Sequence, residues 1–172
     1  MQAGLSHQIN QAPPHMMHSI HLIVSEIGDY GGPAYNHLVF RDHTGTDKVM
    51  MNGLALERQA SDVRALRGVM APPSEGPLAG QKIIKAVEVE IFQGPVKEYL
   101  RKMAMAVEAL HFVNAQNLSY RPEDVNGDSP NSITHTLIRA MGLDYPEEAT
   151  HFWAPGYERV ILPKNWRSKY EH

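Results

Sequence analysis

Ser132 lies in the stretch GDSPNSITHTLIRAMGL, residues 127–143, three positions after Ser129 and two after Pro130. Serine is favoured as a helix cap, and proline is favoured just after it because its missing N–H costs nothing there. The stretch predicts a helix that starts near Pro130 and stops at Gly142, with Asn131 and Ser132 in its first turn. Free N–H groups and the positive dipole end would stabilise an alkoxide or oxyanion at that place. Capping alone also accounts for serines near a helix start. A serine hydroxyl becomes a nucleophile only beside a base.

Among the ten histidines, two are placed to be that base. His37 falls in AYNHLVF, among aliphatic and aromatic neighbours, where it is either a buried ring bonded to backbone or a group facing a site at the sheet edge. His135 follows Ser132 by three residues and can share its helix face, although local helix geometry seldom gives a good serine–histidine contact. Asn52, in MMNGLAL, has the chemistry to orient an imidazole through its second nitrogen, as the third member of a hydrolase triad does.

Three other patterns carry less. HMMHSIH spaces His15, His18 and His21 by three, which on a helix would line up metal ligands. The segment runs into a β-type stretch, whose alternation would separate His18 from His21. Asp124, Asn126 and Asp128 resemble the start of a calcium loop, but the sixth-position glycine and twelfth-position carboxylate are missing. GDS is also a lipase motif, but there the serine follows an early strand, whereas here it is late and precedes a helix. No metal or cofactor is expected.

The elements that must position these groups read as α+β. SIHLIVSEI (19–27), AYNHLVFRD (34–42) and KVMMNGLALE (48–57) are aliphatic and β-branched runs with short polar links, which predicts an antiparallel meander. Residues 58–69 are expected to form a short helix, and 71–80 a surface loop. KIIKAVEVEIF (82–92) alternates Val87, Val89 and Ile91 against Glu88 and Glu90, so it is a strand. Gly94-Pro95 opens a long helix to about Gln116, with an apolar stripe at Val96, Tyr99, Leu100, Met103, Val107 and Leu110. Ile133, Leu137, Ile138 and Met141 mark the buried face of the late helix, and 157–162 is a candidate last strand. The expected architecture is an antiparallel sheet of about four to six strands packed on two main helices. It forms one domain over 15–172 behind a loose arm over 1–14 that ends in Pro13-Pro14.

Composition narrows the function. The chain has 172 residues, 42% hydrophobic and 20% charged, with net charge −3. This is the make-up of a soluble globular protein, and it does not suggest nucleic acid as a partner. The absence of cysteine excludes disulfides, thiolate zinc sites and cysteine nucleophiles in this chain. No run approaches the roughly 18 apolar residues that span a bilayer. The N-terminus is not a conventional signal peptide, so the expected location is the cytoplasm, or outside the cell by a route without a cleaved signal.

A strand histidine, a polar residue on the next strand and an asparagine–nucleophile pair opening a late helix together resemble the permuted papain-like superfamily. That group includes permuted NlpC-type peptidases and lecithin:retinol acyltransferase-like proteins. The residues concerned are 34–56 and 127–162, including PNSITHTLIRAMGL and the tail APGYERVIL. The late segment is also similar to a bacterial variant with a PNSN[ST] motif, found in uncharacterised bacterial proteins and large secreted toxins. The resemblance implies Ser132 as nucleophile, His37 as base and Asn52 as orienting residue. It implies a hydrolase or acyltransferase, amidase- or peptidase-like, acting on peptide, peptidoglycan or acyl substrates. The alternative is an inactive papain-like module that binds a protein partner, as part of a secreted effector. Ser132 stands where the family has cysteine. A thiol near pKa 8.5 is readily ionised by an imidazole, while serine needs full general-base deprotonation during attack. The serine is therefore a working nucleophile, the mark of a scaffold that has lost catalysis, or a cysteine altered in this chain.

Overall fold

The computed structural model describes residues 16–28, 33–56, 64–76, 79–121 and 127–171. The expected arm over 1–14 and the candidate ligands His15, Asp124 and Asn126 lie outside the described residues, as do 58–63 of the expected helix.

Six strands form one antiparallel sheet: β1 (His18–Ile27), β2 (Ala34–Arg41), β3 (Asp47–Leu56), β4 (Arg64–Ala71), β5 (Ile83–Gly94) and β6 (Ser119–Tyr120). Their order is β5-β1-β2-β3-β4-β6, so the expected meander is extended by β4 and β6 on one side while β5 returns beside β1 on the other. Two helices, α1 (Val96–Ala115) and α2 (Pro130–Ala140), complete the α+β architecture. Ile20, Leu22, Val24, Leu38, Phe40 and Met51 form the sheet's share of the core, and they meet Ala106, Ala109, Leu137 and Ile138 from the helices. No helix among the described residues is long and apolar enough to cross a membrane.

Three expectations are corrected. The helix expected over 58–69 is not formed over its described part, because residues 64–71 are β4, paired to β3 from Met50↔Ala71 to Leu56↔Ala65. Leu66 and Gly68 alternate inward, and the Asn114 side chain brackets Gly68 by accepting from its N–H at 2.7 Å and donating to its carbonyl at 2.9 Å. Pairing and packing override a local helical preference here. On α1 the buried face carries Tyr99, Met105, Ala106, Ala109, Leu110 and Val113, while Val96 and Leu100 are exposed. Ala106 and Ala109, both fully buried, centre the face that packs on the sheet, and this leaves Val96 and Leu100 on the outer side. The candidate strand over 157–162 is irregular chain.

The feature that shapes the functional region is a split in the sheet. β2 pairs with β3 only from His37↔Asn52 onward, so residues 34–36 leave β3. Backbone polar groups freed in this way need other partners, and all four on that edge of β2 find one. The Ala34 N–H donates to the Trp153 carbonyl at 2.8 Å. The Asn131 side chain donates to the Ala34 carbonyl at 3.0 Å and accepts from the Asn36 N–H at 2.9 Å. The Thr134 hydroxyl donates to the Asn36 carbonyl at 2.9 Å. The first turn of α2 thus takes the place of a strand.

Two glycines let it come so close. A Cβ on Gly53 would lie 2.3 Å from the Pro130 carbonyl oxygen and 2.4 Å from its Cα. A Cβ on Gly156 would lie 2.5 Å from the Ser129 hydroxyl, and that glycine also holds φ at +74°. Gly53→Ala meets rigid backbone and will cost about 3 kcal/mol or more. Urea unfolding of the variant checks this, and a loss within a few tenths of a kcal/mol of wild type would contradict the wedge.

Candidate functional site

A cavity of about 470 Å³ opens at the split, with His37, Asn52, Tyr35, Arg64, Tyr120 and Pro130 among its walls. Directly opposed residues share a face of a sheet, so the His37↔Asn52 pair brings these two side chains together. Both are buried, at 4% and 7% exposure. Asn52 donates its amide to the Gly53 carbonyl at 2.8 Å, which leaves its Oδ1 without a partner. The Nδ1 of His37 is also buried and unpartnered. Buried polar atoms are nearly always bonded, and these two stay unbonded behind the cavity wall, closed off from its open space. Burial lowers the His37 pKa from 6.5 to about 4, with Glu88 opposing weakly, so the ring is neutral at pH 7 and offers one donor and one acceptor.

Ser132 is held elsewhere. Its side chain is fully buried, accepts the Ser129 N–H at 2.8 Å and donates to the Ser129 carbonyl at 2.7 Å. In return the Ser129 hydroxyl accepts from the Ser132 N–H at 3.1 Å. This is a capping box, with Ser132 in the place usually taken by Glu or Gln. Ser129 is the expected cap, but Ser132 shares the structural work instead of being released from it. Side chains alternate along a strand. His37 and Asn52 therefore project from the face opposite to that on which Gly53 meets Pro130 and Asn36 donates to the Tyr145 hydroxyl at 2.7 Å. Of these two, α2 presents Pro130, not Ser132, to the cavity. The structure assembles His37 with Asn52 and keeps Ser132 apart from them.

The other candidates are also accounted for. His135 turns its Nδ1 to the Tyr157 carbonyl and packs its ring 5.0 Å from that of Tyr145. Burial lowers its pKa. His18 and His21 fall on opposite faces of β1, as strand alternation requires. His18 stacks at 4.9 Å on Tyr99, while His21 lies 2.8 Å from the Ser19 hydroxyl and 2.9 Å from the Glu88 carboxylate. Among the described residues no three potential ligands gather to hold a metal.

Sequence reasoning missed Asn131 as the clamp on β2 and Arg64, Tyr35 and Tyr120 as cavity walls. Asn131 binds partners 95 and 97 positions away, and no local spacing announces that. Gly53 and Gly156 carried the available signal, since a glycine in a strand or after a proline marks close approach of backbone. Comparison with protein-family models, with curated proteins and with solved structures gives no match for the chain.

Neutral burial of His37 makes stability depend on pH. Below about pH 6.5 the unfolded chain takes up a proton on this ring, while the folded protein resists until about pH 4. Stability is therefore complete above the unfolded pKa and falls as pH drops through that window, by roughly 3 kcal/mol at most. Urea unfolding at pH 7.5 and pH 4 is expected to show a loss roughly 2–3 kcal/mol larger for wild type than for His37→Gln. Equal losses in the two proteins would contradict the neutral ring.

Proposed function

We propose that the chain is a ligand-binding module on a permuted papain-like scaffold, with the cavity at the β2–β3 split as its site. The observation that carries this is the contrast between two side chains on a cavity wall whose buried polar atoms stay unbonded and a serine bonded on both sides. His37 and Asn52 line a cavity of small-molecule size and hold buried polar atoms that nothing in the fold bonds, while the hydroxyl of Ser132 is closed within the cap of α2. The papain-like resemblance is supported by the order of parts. A strand histidine stands beside a polar residue of the next strand, and an Asn-Ser pair opens a late helix whose start is bound by a Pro-Gly tail. The Pro155 carbonyl accepts from the Ser129 hydroxyl at 2.8 Å and from the Asn131 amide at 3.3 Å.

The His37–Asn52 pair also favours a second reading, an amide or ester hydrolase. In it Ser132 leaves both contacts with Ser129 and gives its proton to His37. Its oxygen then attacks the carbonyl, the N-terminal amides of α2 hold the oxyanion, the amine or alcohol leaves with the proton from His37, and water activated by His37 releases the acyl group and restores Ser132. That route requires a buried Ser129 N–H to lose its acceptor, which costs about 1–3 kcal/mol before any chemistry begins.

The two readings separate in one variant. Ser132→Ala is expected to lower stability by about 1–2 kcal/mol. It leaves unchanged the binding of small polar fragments detected by amide NMR shifts at His37 and Asn52. A fluorophosphonate is expected to leave Ser132 unlabelled. Labelling at Ser132, or turnover of p-nitrophenyl acetate that disappears in Ser132→Ala, would replace the binding module with the hydrolase.

A further inference from the structure

We infer that Ser19, His21 and Glu88 form an ester-hydrolysing site on the sheet face away from both helices, with Ser19 as nucleophile, His21 as base and Glu88 positioning the ring. None of the three lines the cavity at the split.

Ser19 and His21 lie two apart on β1, so both project from the face opposite to Ile20, Leu22 and Val24, which meet the helices. The Ser19 hydroxyl is 2.8 Å from the His21 Nε2. The other ring nitrogen, Nδ1, is 2.9 Å from a Glu88 carboxylate oxygen, off the line of a hydrogen bond. Catalytic contacts of this kind commonly align only when substrate binds. A carboxylate at Nδ1 keeps the ring proton there, which leaves Nε2 to accept from the hydroxyl. Burial and the Arg41 charge hold the His21 pKa below 6.5 against the pull of Glu88, Glu90 and Asp47, so the ring is a neutral base at pH 7. Ser19 thus has what Ser132 lacks, an imidazole within reach of its hydroxyl.

A bulge in β5 assembles the site. Ser19 stands opposite Gln93, Ile20 opposite Phe92 and His21 opposite Glu90, which leaves Ile91 as the extra residue. Without it Ile91 would oppose His21 and Val89 would oppose Ile23, so an apolar side chain would take the place of Glu88. On its other side Ser19 stands opposite Arg41 of β2. Arg41 donates to Glu88 through both Nη atoms and to Asp47 through Nε, and its guanidinium has further N–H groups beyond these bonds. Opposed residues share a face, so the Arg41 guanidinium and the Gln93 amide flank Ser19 from the two neighbouring strands. That is where the oxyanion of an attacked carbonyl forms.

Ser19 Oγ bonds to the ester carbonyl carbon as its proton passes to His21 Nε2, and the carbonyl oxygen takes the charge beside Arg41 and Gln93. The C–O bond to the leaving group then breaks, and the alcohol departs with the proton from His21. Water gives a proton to His21 while its oxygen attacks the acyl-serine. The carboxylic acid leaves and the proton returns to Ser19. Glu88 is 41% exposed and Ser19 only half-buried, so the site is open. An open site supplies little binding energy to offset the greater stability of an amide, which makes short-chain esters the substrate class.

The test treats the full chain with a fluorophosphonate, locates the label by mass spectrometry and follows hydrolysis of p-nitrophenyl acetate and butyrate. The label is expected on Ser19, and turnover is expected to disappear in Ser19→Ala. His21→Gln should lower labelling and kcat at least about 100-fold. Glu88→Gln should lower kcat at least about 10-fold with KM unchanged, and Glu88→Asp should recover part of it. Loss of a merely structural contact would not give that split. Absence of label from Ser19, or equal turnover by wild type and Ser19→Ala, would overturn the site and leave the cavity reading untouched. Equal kcat in wild type and Glu88→Gln would overturn the positioning role of Glu88.

Discussion

The first turn of α2 inserted between β2 and β3 is the contact on which the rest of this structure depends. Pulling a strand away from its neighbour exposes backbone donors and acceptors that cannot be buried unpaired. Asn131, Thr134 and the Trp153 carbonyl answer each group on the released edge of β2. Gly53 below and Gly156 above leave the room that backbone-to-backbone approach demands. The C-terminal tail is drawn into the same contact. Pro155 accepts from Ser129 and Asn131, and the Ile161 N–H donates to the Thr136 hydroxyl at 3.0 Å. An irregular tail is thereby fixed on the fold without becoming a strand.

The cavity is the other consequence of the same split. Where β2 departs from β3, the sheet can no longer fill its own interior. His37 and Asn52 mark the last paired rung before the opening. They are buried by the sheet around them, and each holds a polar atom that nothing bonds. Such atoms cost stability while nothing bonds them.

Ser132 shows how one residue type answers two demands at the same position. A helix start needs acceptors for its free N–H groups, and it also provides a positive end for a reactive oxygen. The serine here serves the first demand from both sides, since its hydroxyl bonds the N–H and the carbonyl of Ser129. A cysteine would bond both groups more weakly, because sulfur is a weak donor and acceptor. Serine at this position therefore makes a stronger cap than cysteine would, and it is the less easily ionised of the two.

The sequence by itself determined the parts that depend on local chemistry. Aliphatic and β-branched runs marked the strands that became β1, β2 and β3, alternation marked β5, proline and glycine marked the start of α1 and the stop of α2, and Ser129-Pro130 marked the cap. The rotation of α1, the strand over 64–71 and the irregular tail escaped it, because each follows from what packs against it. His37 and Asn52 were legible as residues of interest. That they face each other across a strand pair comes from register, and that Ser132 stands apart from them comes from strand alternation and from the capping box. Arg64, Tyr35 and Tyr120 became cavity walls only through the fold. Propensity and capping act over a few residues, but burial, register and the completeness of hydrogen bonding are properties of the whole chain, and these decided the site.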